Sequence, residues 1–258
     1  MLERLQYIKI EPLRILDAGC GDGRGAKQLA ERYPQARVLG LDCALPLLKA
    51  ARGGDTWLRR ALRRARADFL CADFSAIPLP AASLDLAWSN LALHLCGDPQ
   101  PALKELRRAL KVGGLLMFSC YGPDTLKELD RAFAAHDPAP HVHGFIDMHD
   151  LGDMLSVCGY AAPVMDMEVI TLTYADVDAL LADLRATGQT NALAGRRRGL
   201  TGTGVFDRMR AAYEDARRDG RLPASFEIVY GHAWKPQPRL SEDGRAIVRL
   251  HPPPAKAV

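Results

Sequence analysis

The sequence predicts an α/β protein whose doubly wound, mostly parallel sheet has about seven strands. Three observations lead to this prediction. Short apolar runs alternate with helical patterns through the first half of the chain, a glycine-rich turn directly follows the first run, and acidic residues stand at the ends of the next two. This alternation is typical of βαβ units, in which helices cover both faces of a parallel sheet.

The first half of the chain contains five predicted strands separated by helices. Strands are expected at 14–18, 37–41, 67–71, 84–89 and 115–119, and helices at 23–33, 45–52 and 99–110. The last of these helices is the best defined, because prolines stand at its start and Leu103, Leu106 and Leu110 share one face. Gly113 and Gly114 are expected to end it before the fifth strand.

The second half is less regular and is expected to complete the same domain. Helices are predicted at 125–135, 148–157, 176–187 and 205–218, and strands at 164–173 and 226–234. We therefore expect one domain over 1–234, with the glycine turn in a first half of about 12–122 and a second half of about 123–234. The Pro-rich tail at 235–258 is expected to be partly disordered, and 53–66 is the best candidate for an insertion.

Composition narrows the class of protein. The 258 residues carry a net charge of only +3, which argues against a dedicated nucleic-acid binder, and no apolar run is long enough to span a bilayer. Six scattered cysteines without a C-x-x-C pair or a secretory leader predict a reduced, cytoplasmic protein. Arginines crowd 52–66 and recur at Arg196, Arg197 and Arg198; each group is either an acidic-partner site or a solvated loop.

The glycine turn and three acids form the most informative pattern. Gly19, Gly21 and Gly23 follow Asp17 in a G-x-G-x-G spacing between the first strand and the first helix. Glycine there permits a sharp turn and the close approach of a ligand. Asp42 ends the second strand, and Asp73 with Phe74 ends the third, where ligands of parallel sheets bind. The alternative is that Asp42 and Asp73 only cap helices.

The sequence resembles class I S-adenosylmethionine-dependent methyltransferases, which have a Rossmann-like fold. The resemblance lies in the glycine turn, the two acids that follow it, the run 84–94 and the sequence KVGG at 111–114, which occur in the order typical of that family. The resemblance implies S-adenosylmethionine as cofactor. It implies that Asp17 and Gly23 belong to the cofactor site and that Gly19 and Gly21 lie at the methionine part. It further implies that Asp42 binds the ribose, and that Asp73 and Phe74 contact the adenine. Ser89 and Asn90 would lie beside the sulfonium.

The segments 88–92, 180–188 and 230–234 further resemble the malonyl-acyl-carrier-protein O-methyltransferases of biotin synthesis. That resemblance implies methylation of the free carboxylate of a malonyl group on acyl-carrier protein, with neither nucleic acid nor membrane as partner. The same segments, with 122–126 and 145–159, also resemble methyltransferase-like assembly factors of respiratory complex I, which are associated with arginine hydroxylation. Both alternatives stay open at this stage.

Carboxylate methylation needs no general base, because the carboxylate is already ionised at neutral pH. We therefore expect substrate contacts rather than a catalytic dyad. The candidates are His94, Tyr121, Tyr230 and the arginines Arg196, Arg197 and Arg198, since a guanidinium is the best partner for an enclosed carboxylate. We expect His136, His141, His143 and His149 to be surface residues rather than metal ligands, because their spacing fits no standard site.

The methyltransferases that this sequence resembles usually carry a longer segment before the first strand. Either Met1 is a late start, or Leu2, Leu5 and Tyr7 give the cofactor a minimal cover.

Overall fold

A computed structural model describes residues 1–53, 67–199 and 201–238. The arginine-rich stretch and predicted insertion at 53–66, apart from Arg52 and Gly53, therefore lie outside the described residues, as does most of the tail. The strands of the described chain are β1 (Arg14–Ala18), β2 (Arg37–Asp42), β3 (Ala67–Cys71), β4 (Leu84–Asn90), β5 (Leu110–Tyr121), β6 (Ala161–Tyr174) and β7 (Leu222–Trp234).

These strands form one sheet in the order β3-β2-β1-β4-β5-β7-β6. The pairs among β1 to β5 are parallel, whereas β7 is antiparallel to both β5 and β6. The predicted doubly wound fold is confirmed. The strand order reverses at β1, which pairs with both β2 and β4, and the carboxyl ends of strands at such a reversal are where ligands of this architecture bind.

The helices of the described chain are α1 (Arg24–Arg32), α2 (Leu45–Arg52), α3 (Gln100–Ala109), α4 (Lys127–Ala134), α5 (Met148–Val157), α6 (Val177–Ala186) and α7 (Thr203–Glu214). Side chains cap two of them: Asp147 accepts a hydrogen bond from the amide of His149 at the start of α5, and Asp176 accepts one from Ala179 at the start of α6. None of these helices has the length and hydropathy that a bilayer crossing needs.

Apolar side chains cover both faces of the sheet. On one face, residues of α3 and α5 join the strands in a buried cluster; on the other, α1 and the 3-10 helix Leu2–Tyr7 do so. Leu5 is part of that second cluster, whereas Tyr7 is largely exposed. A third cluster joins α4, α6 and α7, so the second half of the chain has a core of its own beside the sheet.

Candidate functional site

The turn between β1 and α1 has the backbone that the glycines predicted. Gly19, Gly21 and Gly23 all have positive φ, at +76°, +53° and +78°. A Cβ on Gly19 would lie 2.2 Å from the Cβ of Ala92, and one on Gly23 would lie 2.6 Å from the ring of Phe69. Gly21 is different, since a Cβ there would meet no atom within 4 Å. Two glycines therefore permit close packing, and the third borders open space.

Asp42 holds this turn in place. Its carboxylate accepts hydrogen bonds from the amide of Gly21, at 2.8 Å, and from that of Ala44, also at 2.8 Å. The half-buried side chain thus connects the end of β2 to the glycine turn. Each carboxylate oxygen keeps capacity for another donor, so this role and the expected contact with ribose hydroxyls are compatible.

Asp17 is the most deeply buried acid at the site, at 2% exposed. Its Oδ2 has no hydrogen-bond partner among the described residues. Burial raises the pKa of Asp17 to about 7; the neighbouring Asp42 carboxylate acts in the same direction, and the amide of Ala26 opposes both. A buried carboxylate oxygen without a partner is a favourable place for a ligand cation or N–H donor.

Asp73 and Phe74 follow the end of β3. The Phe74 ring comes within 3.6 Å of the position that a Cβ on Gly19 would occupy. Asp73 is exposed and accepts a hydrogen bond from the amide of Ser75 at 2.7 Å, which lowers the pKa of Asp73. Asp73 therefore caps a turn rather than a helix, and its neighbour Phe74 lies beside the glycine turn.

Ser89 and Asn90 end β4 beside the same turn. Ser89 is fully buried, and its hydroxyl has no partner among the described residues. The exposed Asn90 accepts a hydrogen bond from the hydroxyl of Ser119 through its amide oxygen, at 2.9 Å. The site therefore combines open space at Gly21 with two buried polar atoms that have no partner among the described residues, Oδ2 of Asp17 and the hydroxyl oxygen of Ser89. Such a lining fits a ligand that has both a cationic amine and hydroxyl groups, as S-adenosylmethionine has.

A cavity of about 440 Å³ lies between the segment that follows β4 and residues of the second half of the chain. Its lining begins at Leu93, directly after Ala92, which packs against Gly19, so one short segment borders both the turn and the cavity. Its walls are mostly aromatic and apolar, with few polar groups. The lining includes Leu93, His94, Cys96, Tyr121, His143, Phe145, Ile146 and the segment 192–194.

His94 and Tyr121 are the sequence-predicted substrate contacts that reach this cavity. Their ring centroids are 4.6 Å apart, and the ring of Phe145 packs 5.7 Å from that of His94. Burial, with a contribution from His143, lowers the pKa of His94 to about 4, so the imidazole is neutral at neutral pH. Burial also raises the pKa of Tyr121.

The three arginines do not line the cavity. Arg196, Arg197 and Arg198 are exposed, and the guanidinium of Arg197 contacts Asp137 at 2.9 Å. The Asp137 side chain is entirely buried, and Arg197 lowers its pKa to about 2. This ion pair attaches the segment above the cavity to the chain before α5. Arg197 therefore fixes the segment that follows the lining residues 192–194, and its guanidinium does not line the cavity.

Tyr230 lies away from the cavity. Its hydroxyl donates to the carboxylate of Glu168, and the guanidinium of Arg4 lies 3.9 Å from its ring centroid. These contacts belong to the sheet face covered by the N-terminal 3-10 helix. The structure thus brings together two of the predicted substrate contacts, His94 and Tyr121, and separates Tyr230 from them.

The histidine-rich stretch forms structural contacts. His141 bonds to Asp137 at 3.1 Å and stacks on Phe133, and His149 contacts Asp147 at the start of α5. Within the described residues, no group of three or more His, Cys, Asp or Glu side chains is arranged to hold a metal ion.

Sequence reasoning missed Phe145 and Gln189 as neighbours of Tyr121. Gln189 follows α6 and donates a hydrogen bond through Nε2 to the hydroxyl of Tyr121, at 3.3 Å. Neither residue belongs to a periodic pattern, and both come next to Tyr121 only through folding. No local sequence signal would have selected them.

Strand order and turn geometry define a class I methyltransferase fold, and comparison with known proteins agrees. A family model described as "Methyltransferase domain" matches residues 16–118. A phosphoethanolamine N-methyltransferase of Haemonchus contortus, solved in complex with S-adenosyl-L-methionine, superposes with a TM-score of 0.55 at 20% identity, over 91% of this chain and 51% of its own.

Two curated relatives narrow the family. The malonyl-[acyl-carrier protein] O-methyltransferase of Gallionella capsiferriformans is 53% identical over 96% of this chain and 86% of its own. The protein of the same name from Laribacter hongkongensis is 52% identical over 98% of this chain and 86% of its own. The chain belongs to the malonyl-[acyl-carrier protein] O-methyltransferase family.

Proposed function

We propose that the protein transfers a methyl group from S-adenosylmethionine to the free carboxylate of a malonyl group carried by acyl-carrier protein. The identity of about half of all positions to relatives of that name carries the proposal. Of the two alternatives that the sequence left open, these relatives favour the carboxylate methyltransferase over the assembly factor. The proposal also assigns the reaction to biotin precursor synthesis.

The residues around the glycine turn have the chemistry that the cofactor requires. Asp17 offers a buried carboxylate oxygen to an amino group, and Asp42 offers acceptors to ribose hydroxyls. Phe74 presents a ring edge beside Gly19, where an adenine would find an apolar partner. The bound cofactor supplies an electrophilic methyl group on a positively charged sulfur. The chain has to hold the acceptor carboxylate in line with that methyl group and exclude water.

The test is mass spectrometry of malonyl-acyl-carrier protein incubated with the enzyme and S-adenosylmethionine. We expect a mass gain of one methylene group that depends on both components. Acetyl-acyl-carrier protein is the control, since it differs only by lacking the carboxylate and should remain unmodified. A protein that binds S-adenosylmethionine but never modifies malonyl-acyl-carrier protein would overturn the proposal.

A further inference from the structure

The imidazole of His94 is unusual in that both ring nitrogens are buried and neither has a hydrogen-bond partner among the described residues. Buried polar side-chain atoms are nearly always paired in folded proteins. The ring is fixed instead by aromatic neighbours, with Tyr121 and Phe145 packed against it. In a neutral imidazole one ring nitrogen carries a proton, so His94, which lines the cavity, has an N–H donor without an acceptor among the described residues.

Tyr121 presents a second donor a short distance away. Its hydroxyl oxygen accepts a hydrogen bond from Gln189, and the hydroxyl proton has no acceptor among the described residues. Tyr121 is 8% exposed and lines the same cavity. The cavity therefore has two neutral donors on one wall, in surroundings that are otherwise mostly apolar.

We propose that this cavity holds the malonyl carboxylate, with the imidazole N–H of His94 and the hydroxyl of Tyr121 as its hydrogen-bond donors. The inference rests on the proposed function and adds to it the residues that recognise the acceptor. Ala92 packs against Gly19 and His94 follows two residues later, so the segment 92–94 connects the glycine turn with the wall of the cavity.

Neutral donors suit this reaction better than an arginine does. A bond forms between the carboxylate oxygen and the methyl carbon while the methyl–sulfur bond breaks, the sulfur keeps the electron pair, and no proton moves. The carboxylate therefore loses negative charge on the way to the transition state. A guanidinium would stabilise the charged reactant more than the transition state and so would slow the chemical step. A neutral N–H or O–H donor orients the carboxylate oxygen but stabilises the charged reactant less, so it raises the barrier to methyl transfer less.

The test compares kinetics of His94→Ala, His94→Gln and Tyr121→Phe with two matched controls. His232→Gln changes a half-buried histidine on β7, and Tyr213→Phe changes a buried tyrosine whose hydroxyl bonds to the backbone of Pro223. We expect kcat/KM for malonyl-acyl-carrier protein to fall about 10- to 100-fold in His94→Ala and in Tyr121→Phe, the usual effect of losing a hydrogen bond to a charged group. His94→Gln keeps a neutral donor and should recover most of the loss.

Affinity for S-adenosylmethionine, measured by calorimetry, should change less than twofold in all five variants, and both controls should keep wild-type kinetics. A second readout does not depend on turnover. In the wild-type protein with S-adenosylhomocysteine, the imidazole resonances of His94, assigned with the help of His94→Gln, should shift when malonyl-acyl-carrier protein is added and stay unchanged with acetyl-acyl-carrier protein.

Wild-type kinetics in His94→Ala and Tyr121→Phe, in an enzyme that methylates malonyl-acyl-carrier protein, would overturn the assignment of the cavity and leave the proposed function intact. An equal shift with both carrier proteins would overturn it as well, even if the variants fold poorly. Absence of wild-type methylation would instead reject the proposed function itself.

Discussion

The glycine turn allows a prediction that separates close packing from ligand contact, because Gly19 and Gly21 differ in their surroundings. Alanine at either position has to adopt positive φ, which destabilises the fold by roughly 1–2 kcal/mol. Only at Gly19 does the new Cβ also collide, at 2.2 Å from Ala92, with a carbon that needs about 3.5–4.0 Å. Such overpacking adds about 1–3 kcal/mol.

Gly19→Ala should therefore unfold roughly 2–12 °C below Gly21→Ala in thermal scans without ligand, at about 2–4 °C per kcal/mol for a domain of this size. The affinity for S-adenosylmethionine should not follow the order of the melting temperatures. The Cβ of Gly21→Ala enters the open space where we expect the cofactor, so calorimetry should show at least a roughly tenfold weaker binding of S-adenosylmethionine despite its small loss of stability. Equal melting temperatures, or wild-type affinity in Gly21→Ala, would refute this account of the turn.

Three further predictions concern Asp42, His94 and the ion pair between Arg197 and Asp137. Asp42→Ala removes the acceptor that holds the turn, and calorimetry should show S-adenosylmethionine binding weakened by about 1–3 kcal/mol; an unchanged affinity would place the ribose elsewhere. Because the pKa of His94 is near 4 when folded, this side chain makes the protein lose stability as pH falls from about 6.5 to 4, by roughly 3 kcal/mol in all. His94→Gln should remove that part of the slope in denaturant titrations, and comparison with wild type cancels the opposite contribution of Asp17. Finally, Arg197 and Asp137 form one ion pair, so each single variant, Arg197→Ala or Asp137→Asn, already removes it. The double variant should therefore lose less kcat/KM than the two single losses combined, whereas additive losses would indicate separate roles.

The elements of the first half were predictable because each one has a local pattern. The strands are buried apolar runs, and α3 carries its apolar residues on one face, so the predicted 99–110 and the observed Gln100–Ala109 nearly coincide. β5 was predicted too short. It starts at Leu110 rather than after Gly114, because the backbone around Gly113 and Gly114 pairs with Lys235, which is more than a hundred residues away.

The position of the glycine turn was also predictable, since it depends on residues adjacent in sequence and on strands whose ends must meet. The roles of individual side chains were less accessible. Asp42 was expected to face a ribose, and the structure adds that it also fixes the turn through Gly21. The lining of the cavity combines segments near 94, 121, 145 and 193, and no local pattern records that they converge.

Among the three adjacent arginines, Arg197 shows that a conspicuous charge can have its partner within the chain. Three adjacent guanidinium groups are conspicuous in a sequence, and pairing them with a carboxylate is a sound inference when only binding is considered. Arg197 instead neutralises the buried Asp137, since a buried carboxylate without a partner would be strongly unfavourable. The wall of the cavity carries His94 and Tyr121, which are weaker binders of an anion. For a reaction in which a carboxylate and a sulfonium both lose their charges, weaker binding of the charged reactant leaves a smaller barrier to the transition state.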